Sequence, residues 1–140
     1  ILELPEHSFI QMGDFSGYTI SQCAKKGIKK AYIGGFIGKF AKMATGVKQT
    51  HVKGSKVNME FLSILAKKCK AEESVIQEIK NANTARNVQE IILKNNIEGF
   101  FDEVCSEVYK QMQIHSENKT MIEIILFDFD GNVLAHHPKQ

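Results

Sequence analysis

The sequence predicts an α/β domain: a small, mainly parallel sheet flanked by helices in a Rossmann-like, three-layer arrangement, closed by a C-terminal antiparallel hairpin. Three observations carry that expectation. Short apolar runs alternate with helical periodicities early in the chain. A block of amphipathic repeats fills the middle, and a continuous apolar run meets an Asp-Gly turn near the end. With 140 residues, 43% of them hydrophobic, the chain is long enough to bury one core of its own as a single domain over 1–140.

Each element follows from local chemistry. Phe9-Ile10-Gln11-Met12 is a short strand that stops at Gly13-Asp14, where Asp14 stands at an N-cap and accepts from the first helical turn. Ile20, Cys23 and Ala24 share one face of the helix that follows, and Lys25-Lys26-Gly27 ends it with cations and a glycine. Ala31-Tyr32-Ile33 is a second strand, ending in Gly34-Gly35. Phe36, Ile37, Phe40, Ala41 and Ala44 then mark one side of a second helix that Gly46 stops. Residues 47–57 are polar and read as a surface loop of the length that often carries function.

From about Asn58 to Ser116 four helices are expected, with stripes Met59/Leu62/Leu65/Cys69, Val75/Ile76/Ile79 and Val88/Ile91/Ile92, and a last one from Ile97 through Phe100, Phe101, Val104, Cys105, Val108 and Tyr109 to Met112. Asn83 and Thr84, in the polar turn between two of them, fit helix capping better than ligand contact. Met121 to Phe129 is a buried strand, and Asp130-Gly131 turns the chain back through Val133-Leu134-Ala135 as an antiparallel edge.

Composition excludes several classes. Leu, Ile, Val and Phe are plentiful and only two prolines occur, which argues against disorder. No apolar run reaches the ~18 residues of a membrane span, and no charged-then-apolar signal peptide opens the chain. Cys23, Cys69 and Cys105 are odd in number and widely spaced, which fits a reducing cytoplasm better than a disulfide framework. The net charge of +2 conceals a polarity. Between Phe15 and Met59 stand nine lysines (25, 26, 29, 30, 39, 42, 48, 53 and 56) and no Asp or Glu, so +2 minus +9 leaves −7 for the rest. One surface that attracts anions is expected, the alternative being that some lysines only solvate helix backs and turns.

In an open α/β sheet, ligands bind beyond the carboxyl ends of the strands. Gly13-Asp14 and Gly34-Gly35 are two such ends, each followed by a helix whose first amides favour anions, and Gly38-Lys39 puts a lysine in the first turn of the second helix. Tight turns alone are the simpler account of any one of these glycines. Gly34-Gly35-Phe36-Ile37-Gly38-Lys39 fails as a P-loop: the first glycine would have to be Ile33, and Phe40 replaces Ser/Thr. Asp128-Phe129-Asp130-Gly131-Asn132 resembles a haloacid-dehalogenase nucleophile motif. It lies at the wrong end of a chain with ten residues after Asp130, so a phosphatase built on Asp128 is disfavoured. His51, beside Thr50 and near Lys53 and Lys56, reads as a surface residue or as a carboxylate binder and proton shuttle. No metal site is expected, since the cysteines do not pair as CxxC and His136-His137 fall in a frayed tail. The basic stretch holds no arginine and no nucleic-acid module.

Taken in order, FIQMGDFSGY (9–18), YIGGFIGKFAKMATG (32–46), QTH (49–51), NMEFL (58–62), NANTA (81–85) and ILFDFDGNVLA (125–135) resemble the C-terminal part of the cobalt-precorrin-5B (C-1)-methyltransferase family of anaerobic cobalamin biosynthesis. The resemblance implies methyl transfer from S-adenosylmethionine to ring carbon C-1 of a cobalt-containing tetrapyrrole. It also implies a longer chain with a further N-terminal domain, of which this is the C-terminal part, inactive by itself, with homo-oligomerisation open. On that reading Gly13, Asp14, Gly34, Gly35 and Gly38 hold the cofactor, Asp14 by accepting from a hydroxyl. Lys39, Lys42, Thr50, His51, Lys53 and Lys56 hold the carboxylates of a polyanionic tetrapyrrole, so that the family's substrate and the lysine segment match. The resemblance places no catalytic residue. Where many members have His in a Gly-His-x-Gly-Lys run this chain has Phe36, and no role of that histidine transfers. The competing reading, from another class, is a noncatalytic anion- or nucleotide-binding or assembly module.

Overall fold

The structure is a computed structural model that describes residues 4–8, 16–45 and 57–139. After a single 3-10 turn at Glu6–Ser8, α1 (Ser16–Lys25) ends where the Lys-Lys-Gly run predicts. Gly27 adopts φ +75°, its N–H donates to the Ala24 carbonyl and that of Ile28 to Cys23, the paired bonds of a Schellman cap. β1 (Lys30–Gly35) follows, then α2 (Ile37–Ala44). Ile37, Phe40, Ala41 and Ala44 are buried as their spacing requires. Phe36 is not on that face. It precedes the helix at the N-cap position and is 47% exposed, because the helical repeat that would turn it inward starts one residue later. The strand expected at 9–12 lies outside the described residues, as do Gly46 and nearly all of the polar loop, 47–56.

The helical block is built as the stripes predict. α3 (Met59–Lys68), α4 (Glu73–Lys80), α5 (Ala85–Lys94) and α6 (Phe100–Ser116) follow one another through short links. Asn58 Oδ1 accepts from the Phe61 N–H at 2.9 Å and Thr84 Oγ1 from the Asn87 N–H at 3.0 Å, so the capping role expected of Thr84 is the one it performs. Ile97, which the periodicity put on the last helix, lies ahead of it. Gly99 at φ +87° turns the chain before Phe100.

β2 (Met121–Phe127) and β3 (Val133–His137) complete a sheet of order β1-β2-β3. β1 and β2 are parallel and β2 and β3 antiparallel. Among the described residues the sheet is thus mixed rather than mainly parallel. A link as short as Asp128–Asn132 can join only antiparallel neighbours, whereas α2 to α6 supply the long crossover that a parallel pair needs. α6 packs against α1, α2, β2 and β3, and α2 also touches β2, so these helices lie on one side of the sheet and no second helical layer is seen among the described residues. The face they cover carries Ile33, Ile122, Ile124, Leu126 and Ala135, all buried. At its edge Tyr109 of α6 meets the His137 ring at 5.0 Å. No described helix is long and apolar enough to cross a membrane.

Cys105 faces this core with no exposed surface, and burial pushes its thiol up to about 12, with the Asp102 charge acting in the same direction. Because burial penalises the thiolate, this group leaves stability unchanged below the ordinary thiol value of 9.0 and lowers it as pH rises from there toward about 12. At pH 8, iodoacetamide should therefore modify the half-buried Cys23 and Cys69 and leave Cys105 untouched until denaturant is added. Peptide mass spectrometry reads this directly; native alkylation of Cys105 would refute it.

Candidate functional site

β1 and β2 run parallel with Gly35 level with Leu126, so their carboxyl ends lie side by side. Gly34 and Gly35 are needed there by the protein itself. A Cβ on Gly34 would come within 2.9 Å of the Phe127 ring, and one on Gly35 within 2.8 Å of the buried Phe40 ring. Gly38 differs: a Cβ there would meet nothing within 4 Å. It sits in the first turn of α2, where Phe36 offers no side-chain cap and no acidic residue occurs. Lys39 and Lys42 follow on the same helix, one turn apart and half-buried. Desolvation, followed by the charge of Lys42, holds the Lys39 ammonium below the ordinary lysine pKa.

The Asp128–Asn132 loop follows β2 at the same end of the sheet. The Asp128 carboxylate accepts from the backbone N–H of Asp130 (2.9 Å) and Asn132 (2.8 Å) and from Asn132 Nδ2 (3.0 Å). Gly131 takes φ +88° and donates its N–H to the Asp128 carbonyl. β2 therefore ends at Phe127, two residues earlier than its apolar run suggests, because Asp128 is spent on the turn. These three donors, the Asn132 amide first, hold the Asp128 carboxyl below the usual carboxylate range. A lowered carboxyl pKa stabilises the loop above the unfolded value of about 3.9, and that contribution is lost as pH falls through the lowered one. Exchange of the Asn132 amide should accelerate on acidification below about pH 4 beyond its intrinsic rate. Asp128→Asn should abolish that pH dependence; an unchanged profile by NMR would count against this account.

A stack at this strand end was not legible in the sequence. Phe36, just past β1, and Phe129, two residues past β2, lie ring on ring at 4.8 Å and 17°. The Arg86 guanidinium carbon stands 4.2 Å from the Phe129 centroid. Both rings are more than 40% exposed. Arg86 reaches them because the Thr84 cap starts α5 at Ala85, placing it in the first turn.

The lysines divide. Lys39 and Lys42 follow the carboxyl end of β1, whereas Lys25, Lys26, Lys29 and Lys30 belong to the end of α1 and the start of β1, at the strand's other end. Lys30 bridges to Glu123, itself only 7% exposed, and lies over the Tyr32 ring at 4.9 Å. The Glu123 hydrogen bond, ahead of Tyr32, raises its pKa. His136 and His137 lie in β3 rather than in a frayed tail, because they pair with Ile125 and Ile124 of β2, and His136 Nε2 meets the other Glu123 oxygen at 2.7 Å. The described lysines of this segment thus do not share one face. Of the expected site residues, the structure brings Gly34, Gly35, Gly38, Lys39 and Lys42 to one strand end. Gly13, Asp14, Thr50, His51, Lys53 and Lys56 lie outside the described residues.

Residues 49–138 match the family described as CbiD, C-terminal domain. The cobalt-precorrin-5B C(1)-methyltransferase of Priestia megaterium is 36% identical over 138 residues, covering 96% of this chain and 38% of that protein. That of Leptospira interrogans, serovar copenhageni, is 41% identical over 132 residues, covering 94% and 36%. The chain therefore spans little more than a third of the curated relatives it matches. No solved structure matches it. On the extent of this match, the chain belongs to the CbiD C-terminal domain family.

Proposed function

We propose that the chain is the C-terminal part of an S-adenosylmethionine-dependent methyltransferase that acts on ring carbon C-1 of a cobalt-precorrin in the cytoplasm, the remainder of the enzyme being an N-terminal domain. The observation that carries this reading is 36–41% identity over 94–96% of the chain to proteins named for that reaction. Bound donor supplies an activated methyl on a sulfonium, which asks the protein for alignment more than for side-chain chemistry. The open side of Gly38 and the first turn of α2, which lacks an acid, suit close approach of a ligand there. Lys39 and Lys42, joined by Thr50, His51, Lys53 and Lys56, would take the substrate's carboxylates. Gly13 and Asp14, at the end of the strand that the sequence predicts at 9–12, would complete a Rossmann-like crevice for the donor. Gly34 and Gly35 serve that crevice through packing.

The test is calorimetric titration of the intact enzyme with S-adenosylhomocysteine, with radiolabelled methyl transfer as the second readout. Micromolar binding that Gly38→Val abolishes while the thermal midpoint holds is the expected result. An intact enzyme that neither binds the donor product nor transfers the label overturns the reading.

A further inference from the structure

Arg86 is the sole arginine among 18 basic residues. It is also the residue best shaped to grip a carboxylate, since a planar guanidinium offers paired donors where an ammonium offers a point charge. Its position is fixed from three directions: the Thr84 cap sets the start of α5, Phe129 lies under the guanidinium, and Phe36 stacks on Phe129. Two half-exposed phenylalanines stacked at a strand end bury little for the fold. What they do is hold a long side chain still, so that less rotamer freedom is lost when it binds. Among the described residues its ion-pair partner is Glu90, at 3.8 Å, with both side chains more than 60% exposed, a contact too weak and solvated to consume the fork.

We propose that Arg86, preorganised by the Phe129–Phe36 stack, is a carboxylate-binding residue at the carboxyl ends of β1 and β2. The inference rests on the proposed function for its ligand class. The carboxylate has two sources there, an acetate or propionate of the tetrapyrrole or the amino-acid end of the methyl donor, and both present the same planar group to the fork.

The experiment titrates the intact protein with uroporphyrin, which carries eight carboxylates, with its octamethyl ester, and with S-adenosylhomocysteine. Arg86→Ala should weaken one of the two carboxylate ligands by about tenfold or more, the loss of a charge-assisted bidentate contact. Arg86→Lys should recover only part of it. Phe129→Leu should give an intermediate loss with the charge intact, and Lys119→Ala, a distant exposed lysine, should change nothing. Weakening confined to uroporphyrin assigns the tetrapyrrole carboxylate, and weakening confined to S-adenosylhomocysteine assigns the donor's; either supports the proposal. It is overturned if Arg86→Ala binds both ligands as the parent does, if Arg86→Lys restores full affinity, if Lys119→Ala loses as much, or if the weakening falls on uroporphyrin and the ester nevertheless binds as well as the acid. Failure of methyl transfer with Arg86-dependent uroporphyrin binding intact would remove the proposed reaction and leave the site. Methyl transfer indifferent to Arg86 would do the reverse.

Discussion

Phe100→Ala is expected to lower the unfolding free energy by about 3–5 kcal/mol. The ring has no exposed surface, opens α6 and packs edge-on against Phe101 at 5.5 Å. Phe100 belongs to the core that α6 shares with α1, α2, α3, β2 and β3, so its removal leaves a void inside that core. The loss combines the transfer free energy of the ring with an unfilled cavity, against a total stability of about 5–15 kcal/mol for a domain of ordinary size. Urea unfolding should show a lower midpoint at unchanged slope. Ile64→Ala, at a residue 56% exposed, is the matched control and should cost well under ~1 kcal/mol. Equal effects at the two positions would refute the placement of the core.

Gly35→Val is the second large effect, expected toward the upper end of the ~1–3 kcal/mol typical of overpacking. The new Cβ would stand 2.8 Å from Phe40 Cε1, a ring only 1% exposed that cannot swing into solvent. Adding Phe40→Leu should give back part of the loss, and the double-mutant cycle measures the clash directly. Gly38→Ala is the contrast. With nothing within 4 Å of the added methyl, it should be neutral or stabilising by up to ~1 kcal/mol. The pair separates the two uses of glycine at this strand end. Gly35 substitutions should lower stability and ligand binding together, whereas bulky Gly38 substitutions should lower ligand binding alone. Thermal shift beside calorimetry reads both.

Elements whose signals are local were legible. Gly27 ends α1 through a left-handed cap, Thr84 caps α5, and the stripes from Leu62 to Met112 became one buried core. Each depends on residues within a turn or two of one another, where periodicity and capping chemistry act. The misplacements have equally local causes. Phe36 looks helical because the repeat includes it, although it serves as an uncapped N-cap. Phe129 looks like strand because the apolar run reaches it, although Asp128 has already turned the chain.

The site divides along the same line. Gly34, Gly35, Gly38, Lys39 and Lys42 could be proposed from sequence because a strand end, a glycine and a helix start are contiguous in the chain. Arg86 sits in a different helix, some fifty residues from Phe36 and over forty from Phe129, and no spacing rule links the three. The lysine count raised the opposite difficulty: contiguity suggested a common face, whereas Lys30 is bound to Glu123 at the far end of β1.

The chain alone thus determined the α/β class, the helical stripes with the Gly27 stop and the Thr84 cap, the family resemblance and the strand end where a ligand would sit, because each is written in neighbouring residues. Tertiary structure decided the mixed sheet, the division of the lysines, the packing need for Gly34 and Gly35, and the Phe36–Phe129–Arg86 stack. These depend on which distant segments the core brings together, and burial rewards that assembly without marking it in any local pattern.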